Sequence, residues 1–403
     1  MNPHLQHLHR YPFQKLAVLL QDAVPPADKH NIALSMGEPK HTTPHFIQEA
    51  LLSHLHGLNV YPTTKGRPEL RRTIADWISH RFAIPENLIN PETQVLPVNG
   101  TREALFSFAQ AVIDPARRAL VLMPNPFYQI YEGAALLAGA EPFYLNTVAS
   151  NHYLPDFDSV PEQIWQACQL LYICSPGNPT GAVITQQSQQ KLIHYAKKYD
   201  FIIAADECYT EIYAAENNPP QGLLQSAYTM GNTAFKRCII FQSLSKRSNA
   251  PGLRSGFVAG DAEVLSNYFQ YRTYQGCAMP LPTQYASIRA WQDEEHVVDN
   301  RELYREKFAA VNAILADVCT VRLPGAGFYL WLETPGCDMA FARELYVREN
   351  ITVLPGSFLS REFNGINPGK NHVRLALVAP LADCIAAAER IKQFFTTLHS
   401  EKL

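Results

Sequence analysis

Phe241-Gln-Ser-Leu-Ser-Lys-Arg-Ser-Asn-Ala-Pro-Gly-Leu-Arg-Ser-Gly256 closes an apolar run on a lysine set among small and hydroxyl residues. The run at 238–243 reads as a strand, and further β-rich runs lie on both sides of it, at 94–98, 119–123, 170–174, 201–206 and 256–260. Longer segments of helical period separate them, including 103–112 and 185–198, the second with Thr185 as its N-cap. Short strands alternating with helices predict an α/β fold, a mainly parallel seven-stranded sheet flanked by helices, forming a large domain over residues 46–290. From about residue 294 the pattern changes to a long polar helix, strands at 328–333, 351–354 and 373–378, and a final helix near 383–398. That change predicts a smaller α+β domain built from residues 291–403, joined by residues 1–45, which pack on it or cover the site.

Composition narrows the function. At 403 residues and 47% hydrophobic, the chain can bury two cores. A net charge of −3 gives no electrostatic reason to bind nucleic acid or an acidic membrane surface, so small-molecule chemistry is expected. The eight cysteines are scattered without a Cys-x-x-Cys pair, which predicts reduced thiols in a cytoplasmic protein and no metal site. Leu16-Ala-Val-Leu-Leu20 is too short for a secretory core, and no run approaches the roughly 18 apolar residues of a membrane span.

The motifs fall at the ends of the expected strands, where open α/β sheets place their ligands. An ε-amine at Lys246 can form a Schiff base with a cofactor aldehyde, while Ser243, Ser245 and Arg254 reach a phosphate on the same small molecule. Pyridoxal phosphate presents both groups. Asn99-Gly-Thr-Arg-Glu103 opens a helix, so free N–H groups around Gly100, Thr101 and Arg102 could hold that phosphate, although Asn-Gly is also a common turn. In Cys174-Ser-Pro-Gly-Asn-Pro-Thr-Gly181, two prolines and two glycines stiffen a loop around Asn178, whose amide could donate to the cofactor's phenolic oxygen. Asp206-Glu-Cys-Tyr209 ends a buried run, where an unpaired carboxylate is costly. Either Asp206 meets a cation, such as a protonated pyridine nitrogen, or it caps a following helix. Tyr209 could share the phenolic oxygen with Asn178.

Taken together, Ser-Pro-Gly-Asn-Pro-Thr-Gly, Asp-Glu-x-Tyr, and Ser-x-Ser-Lys with a downstream Gly-x-Arg-x-Gly resemble the class I/II aminotransferases, fold-type-I pyridoxal phosphate enzymes, in order and spacing. The resemblance implies catalytic roles for Lys246, Asp206 and Tyr209, and a Tyr128 ring stacked on the cofactor. It implies that Tyr61, in Tyr61-Pro-Thr-Thr-Lys-Gly66, reaches the phosphate in the partner subunit's site, making a homodimer with shared active sites. Gly37, in Ser35-Met-Gly-Glu-Pro39, would lie against substrate. Arg374 would bind the substrate α-carboxylate, a role that also suits a planar guanidinium able to grip a carboxylate through two parallel hydrogen bonds.

Within the family, Ser35-Met-Gly-Glu-Pro-Lys-His, Tyr271-Arg-Thr-Tyr-Gln-Gly-Cys-Ala-Met and Val353-Leu-Pro-Gly-Ser-Phe-Leu are similar to bacterial N-succinyldiaminopimelate aminotransferases. That likeness implies ping-pong transfer from glutamate to N-succinyl-2-amino-6-oxopimelate, in lysine and diaminopimelate biosynthesis. Aspartate, aromatic or acetylornithine-type substrates, and a C–S lyase of the same fold, stay open. Arg272, Tyr274 and Arg102 are candidates for a distal carboxylate, with an ordinary salt bridge the alternative for Arg272 and a solvent-facing helix start for Arg102. Residues 1–25, with Tyr11-Pro-Phe13, are a candidate lid.

Overall fold

The computed structural model describes residues 1–401. Its strands in chain order are β1 (Ile32–Ala33), β2 (Val95–Val98), β3 (Leu120–Asn125), β4 (Glu141–Asn146), β5 (Cys168–Cys174), β6 (Ile202–Asp206), β7 (Cys238–Ser243), β8 (Gly256–Gly260), β9 (Tyr329–Glu333), β10 (Ile351–Thr352), β11 (Leu354–Pro355) and β12 (His372–Ala376). Seven form one sheet, ordered β2-β8-β7-β6-β5-β3-β4, in which β8 runs antiparallel to both neighbours and the other pairs are parallel.

The two-residue period of a strand explains why these runs are apolar throughout. Leu171, Ile173, Ile203, Ala205 and Ile240 point into one core, and Leu170, Tyr172, Ala204, Ile239 and Phe241 into another on the opposite face. Helices Pro68–Arg81, Gln186–Tyr199 and Leu281–Gln292 seal the first face, and Thr101–Val112, Ile130–Leu137 and Ala262–Gln275 the second. Thr185 caps its helix as expected, its hydroxyl accepting from Ser188 N at 3.2 Å.

A second sheet, β11-β12-β9, is antiparallel and packs with helices Asp338–Glu349 and Leu381–Glu401 around a separate core. The N-terminal segment joins this unit through the parallel pair β1-β10. Two strands differ from expectation. The run at 351–354 is two strands in different sheets, split at Val353, and β4, absent from the expected strands, is a partly exposed edge that carries Glu141 and Pro142. Because β5, β6 and β7 are parallel, Cys174, Asp206 and Ser243 emerge along one edge of the large sheet. Among the described residues, no helix is long and apolar enough to cross a membrane.

Candidate active site

Above that edge lies a cavity of about 620 Å³. Among its lining residues are Gly37, Thr101, Arg102, Tyr128, Asn178, Asp206, Tyr209, Ser243, Ser245, Lys246, Arg254 and Arg374, so the structure brings together twelve residues that the sequence left scattered.

The lysine turn is set by Ser243. Its Oγ accepts from Ser245 N at 3.0 Å and donates to Ser245 Oγ at 2.9 Å, which starts the single helical turn Leu244–Arg247 directly after β7. Lys246 Nζ donates to the carbonyl of Gly37. Burial lowers the Lys246 ammonium pKa to about 8, with the Arg374 and Arg102 guanidinium groups acting in the same direction against the Cys208 thiol. Part of the population therefore carries a neutral, nucleophilic amine near neutral pH.

Asp206 is buried and caps no helix. Its Oδ2 accepts from the Tyr131 hydroxyl at 2.6 Å and its Oδ1 from Cys208 N at 3.3 Å. Desolvation raises its carboxyl pKa, so the site disfavours the anion until a cation stands opposite it. Tyr209 pairs with Tyr329, hydroxyl to hydroxyl at 3.1 Å, and burial pushes its phenol well above the ordinary range. Arg374, on β12, donates through Nη1 to Asn178 Oδ1 at 3.0 Å and through Nη2 to the Ser35 carbonyl at 2.8 Å, while its buried Nε has no partner among the described residues. With Asn178 Oδ1 facing Arg374, the Asn178 amide nitrogen is left to donate elsewhere.

At the other end of the sheet edge, Arg254 holds the carbonyls of Pro251 at 2.9 Å and Asn99 at 3.3 Å. This places its guanidinium over Gly100, where a Cβ would stand 2.7 Å from Arg254 Cζ. Gly100 also has φ +81°, a second reason for glycine there. The guanidinium and the start of helix Thr101–Val112 thus form one cationic cradle. Tyr128 accepts from Arg102 Nε at 2.7 Å. Gly37 leaves room for Tyr329, since a Cβ would lie 2.7 Å from Tyr329 Cζ.

Four expected residues are not among the cavity lining: Gly100, which sits beneath Arg254, and Tyr61, Tyr274 and Arg272. Tyr61 is 98% exposed, so in its own chain it touches none of the site. Tyr274 is 89% exposed. Arg272 takes the salt-bridge alternative in place of the substrate contact: it is fully buried, with Nη1 2.8 Å from both Glu103 carboxylate oxygens and Nη2 donating to the Cys277 carbonyl at 2.8 Å. Glu103 in turn accepts from Asn99 N at 3.0 Å, so Arg272 braces the Gly100 turn from a buried position that does not line the cavity. Conversely, Tyr131 and Tyr329 are site residues that the sequence reading missed. Tyr131 was traceable as the residue three past Tyr128, on the same side of the chain, whereas Tyr329 lies within an apolar strand and carries no separate signal.

The aminotransferase class I and II family model matches residues 29–391. The chain belongs to the class I and II aminotransferases. A solved aminotransferase from Neisseria meningitidis is 48% identical with a TM-score of 0.94, covering 98% of this chain and 100% of that one. Aminotransferase AspB from Helicobacter pylori is 36% identical, TM-score 0.89, covering 96% and 99%. An LL-diaminopimelate aminotransferase from Aquifex aeolicus is 32% identical over 90% of each chain.

Members of this family use pyridoxal 5′-phosphate, and the residues present fit it. A buried carboxylate with no ion-pair partner among the described residues suits a pyridinium, the Arg254 and Gly100 cradle suits a phosphate, and a buried amine of lowered pKa suits an aldehyde.

Proposed function

We propose that this aminotransferase moves an amino group between glutamate and a long dicarboxylic keto acid of the diaminopimelate type, with N-succinyl-2-amino-6-oxopimelate as acceptor. The observation that carries the reading is Arg374. Its guanidinium, steadied by Asn178 and Ser35, lines the same cavity as the Lys246 amine, as a clamp for the α-carboxylate of the molecule whose amine is exchanged.

Pyridoxal 5′-phosphate, when bound, supplies an aldehyde that captures amines and a ring that takes up the electron pair left when the Cα–H bond breaks. The chain's residues do the rest. Lys246 would anchor the cofactor and, once displaced by an incoming amine, its ε-nitrogen would take the Cα proton and deliver it to the carbon that had been the cofactor's aldehyde, the shift that amino transfer requires. Asp206, oriented by Tyr131, keeps the ring nitrogen protonated. Tyr209 and the Asn178 amide donate toward the phenolic oxygen, Tyr128 covers the ring, and Ser243, Ser245, Arg254, Gly100 and Thr101 hold the phosphate. Gly37 keeps the substrate side open.

Tyr61 is assigned to the partner subunit's site in a cytoplasmic homodimer, supported by its full exposure outside its own cavity. The same reading divides the chain into a large domain, 46–290, and a small one, 1–45 with 291–403.

The diaminopimelate skeleton draws support from relatives named LL-diaminopimelate aminotransferase at 29–32% identity over most of the chain. The succinyl group rests on the sequence likeness and on Arg102, a cation in the cavity that, among the described residues, has only its Nε hydrogen-bonded to a side chain. The names of those relatives also favour a second reading, unmodified LL-diaminopimelate as the amino donor. Rates with N-succinyl-LL-diaminopimelate, LL-diaminopimelate, aspartate, phenylalanine and acetylornithine, each against 2-oxoglutarate, separate these. The succinylated compound is expected to give the highest kcat/KM. A higher value for LL-diaminopimelate would replace the first reading with the second.

A further inference from the structure

Beneath the lysine turn runs a line of polar side chains outside the cavity. A one-turn helix leaves its carbonyls without intrahelical partners, and those of Lys246 and Arg247 both accept from Asn300 Nδ2, at 3.2 and 3.4 Å. Asn300 is buried in helix Glu295–Leu315. Its Oδ1 accepts from Asn249 Nδ2 at 2.9 Å and faces His41 Nδ1 at 2.9 Å. An amide oxygen only accepts, so the imidazole hydrogen sits on Nδ1 and His41 Nε2 is a bare acceptor. Lys307 Nζ fills that position at 2.5 Å and also donates to the Val378 carbonyl at 3.4 Å.

Every bond in the line points the same way, from Lys307 through His41 and Asn300 to the backbone of Lys246. Lys307 is 2% exposed, and among the described residues no carboxylate pairs with it; Tyr304 and the Cys384 thiol are its other neighbours. A buried ammonium without a counter-charge is costly, and packing alone would be better served by an apolar side chain. The line also joins three parts of the site. His41 follows Gly37, whose carbonyl accepts from Lys246 itself, Thr43 Oγ1 donates to the Asn249 carbonyl at 2.5 Å, and Val378 lies two residues beyond the strand that bears Arg374.

We infer that Lys307, His41 and Asn300 are positioning residues that lock the Lys246 turn to the Gly37 segment and to the strand of Arg374, keeping the ε-amine in place while it is not bonded to the cofactor. The inference rests on the reading of Lys246 as anchor and proton carrier. An unheld turn lets the amine drift, and misplacement of about 1 Å can slow a proton transfer roughly a hundredfold.

The test compares His41→Leu, His41→Gln and Lys307→Met as holoenzymes. A glutamine amide can donate to Asn300 and accept from Lys307, reproducing the neutral imidazole, while leucine can do neither. His41→Leu and Lys307→Met are expected to lower kcat roughly ten- to hundredfold with KM for glutamate within about twofold, and to shift the pH midpoint of the absorbance of cofactor bound at Lys246. His41→Gln is expected to recover most of both. Should His41→Leu fail to fold, Lys307→Met, of similar length and volume, decides the matter. Wild-type kcat and spectral midpoint in Lys307→Met, or equal losses in the leucine and glutamine variants, would overturn the relay. Borohydride reduction and peptide mapping of wild type separates the two levels: label on another lysine defeats the reading of Lys246, whereas label on Lys246 with unmoved kinetics defeats the relay alone.

Discussion

The floor of the cavity and its mouth are built on different principles. The floor is made of strand ends and the turns that leave them: Asp206 closes β6, Ser243 closes β7, and each functional group there is held by a neighbour only a few residues away or on an adjoining element. Other lining residues, taken here as the mouth, are Tyr11, Pro12 and Phe13 at the start of an N-terminal helix, Met36 and Glu38 from a loop, and Arg102, which come from segments far apart in the chain. On the proposed reading, the floor would carry the cofactor chemistry and the mouth would tell substrates apart. Changes in the floor should therefore affect every substrate alike and heavily, and changes at the mouth selectively and mildly.

The largest effect is expected from Asp206→Ala, which removes the buried carboxylate facing the proposed ring nitrogen and should cut turnover by about 10³-fold for all amino donors. Near-normal turnover would show that the floor does not depend on this carboxylate. Arg374→Ala loses a charge-assisted contact worth about 3 kcal/mol and should lower kcat/KM by ~10²-fold with glutamate and the long substrate equally. A loss confined to one substrate would move Arg374 from the floor to the mouth.

The lowered pKa of Lys246 gives a pH test of the floor. Below about pH 8 the amine is mostly protonated and cannot attack an aldehyde, so capture of pyridoxal phosphate by the apo protein should climb with pH, about tenfold per unit, and level off above about 8. A rate still climbing past pH 10 would mark an ordinary lysine. At the mouth, Arg102→Leu should cost the succinylated substrate about tenfold more in kcat/KM than a substrate without a distal carboxylate, and equal losses would confine Arg102 to the cofactor. The smallest effect belongs outside both regions. Thr185→Ala should lower stability by about 1 kcal/mol in chemical denaturation and leave the kinetics alone.

What the sequence made legible follows the same division. Interior strands of a covered sheet are apolar on both faces, so β5 through β8 stood out, whereas the edge strand β4, with one side partly in solvent and a proline near its start, resembled a loop. The run at 351–354 has one composition but pairs with two sheets, a tertiary choice with no local mark. In the site, Asn178, Asp206 and Lys246 were visible because each stands in a short run of distinctive local composition, although their partners Arg374, Tyr131 and Gly37 lie far off in the chain. For Arg272 the sequence left a substrate contact and a salt bridge open because its partner, Glu103, lies 169 positions away, and the relay through His41, Asn300 and Lys307 joins two distant segments, the loop of His41 and helix Glu295–Leu315. Contacts of that range are properties of the fold, and a single chain's pattern does not encode them in any one window.

The central claim is that Lys246 alone anchors the cofactor, and the most direct measurement is to reduce the holoenzyme with borohydride, digest it, and locate the modified lysine by mass spectrometry, alongside Lys246→Ala. The account predicts the reduced pyridoxyl group on Lys246 in wild type and on no lysine in the variant. Modification of a different lysine in wild type, or an equal reducible adduct in Lys246→Ala, would contradict it.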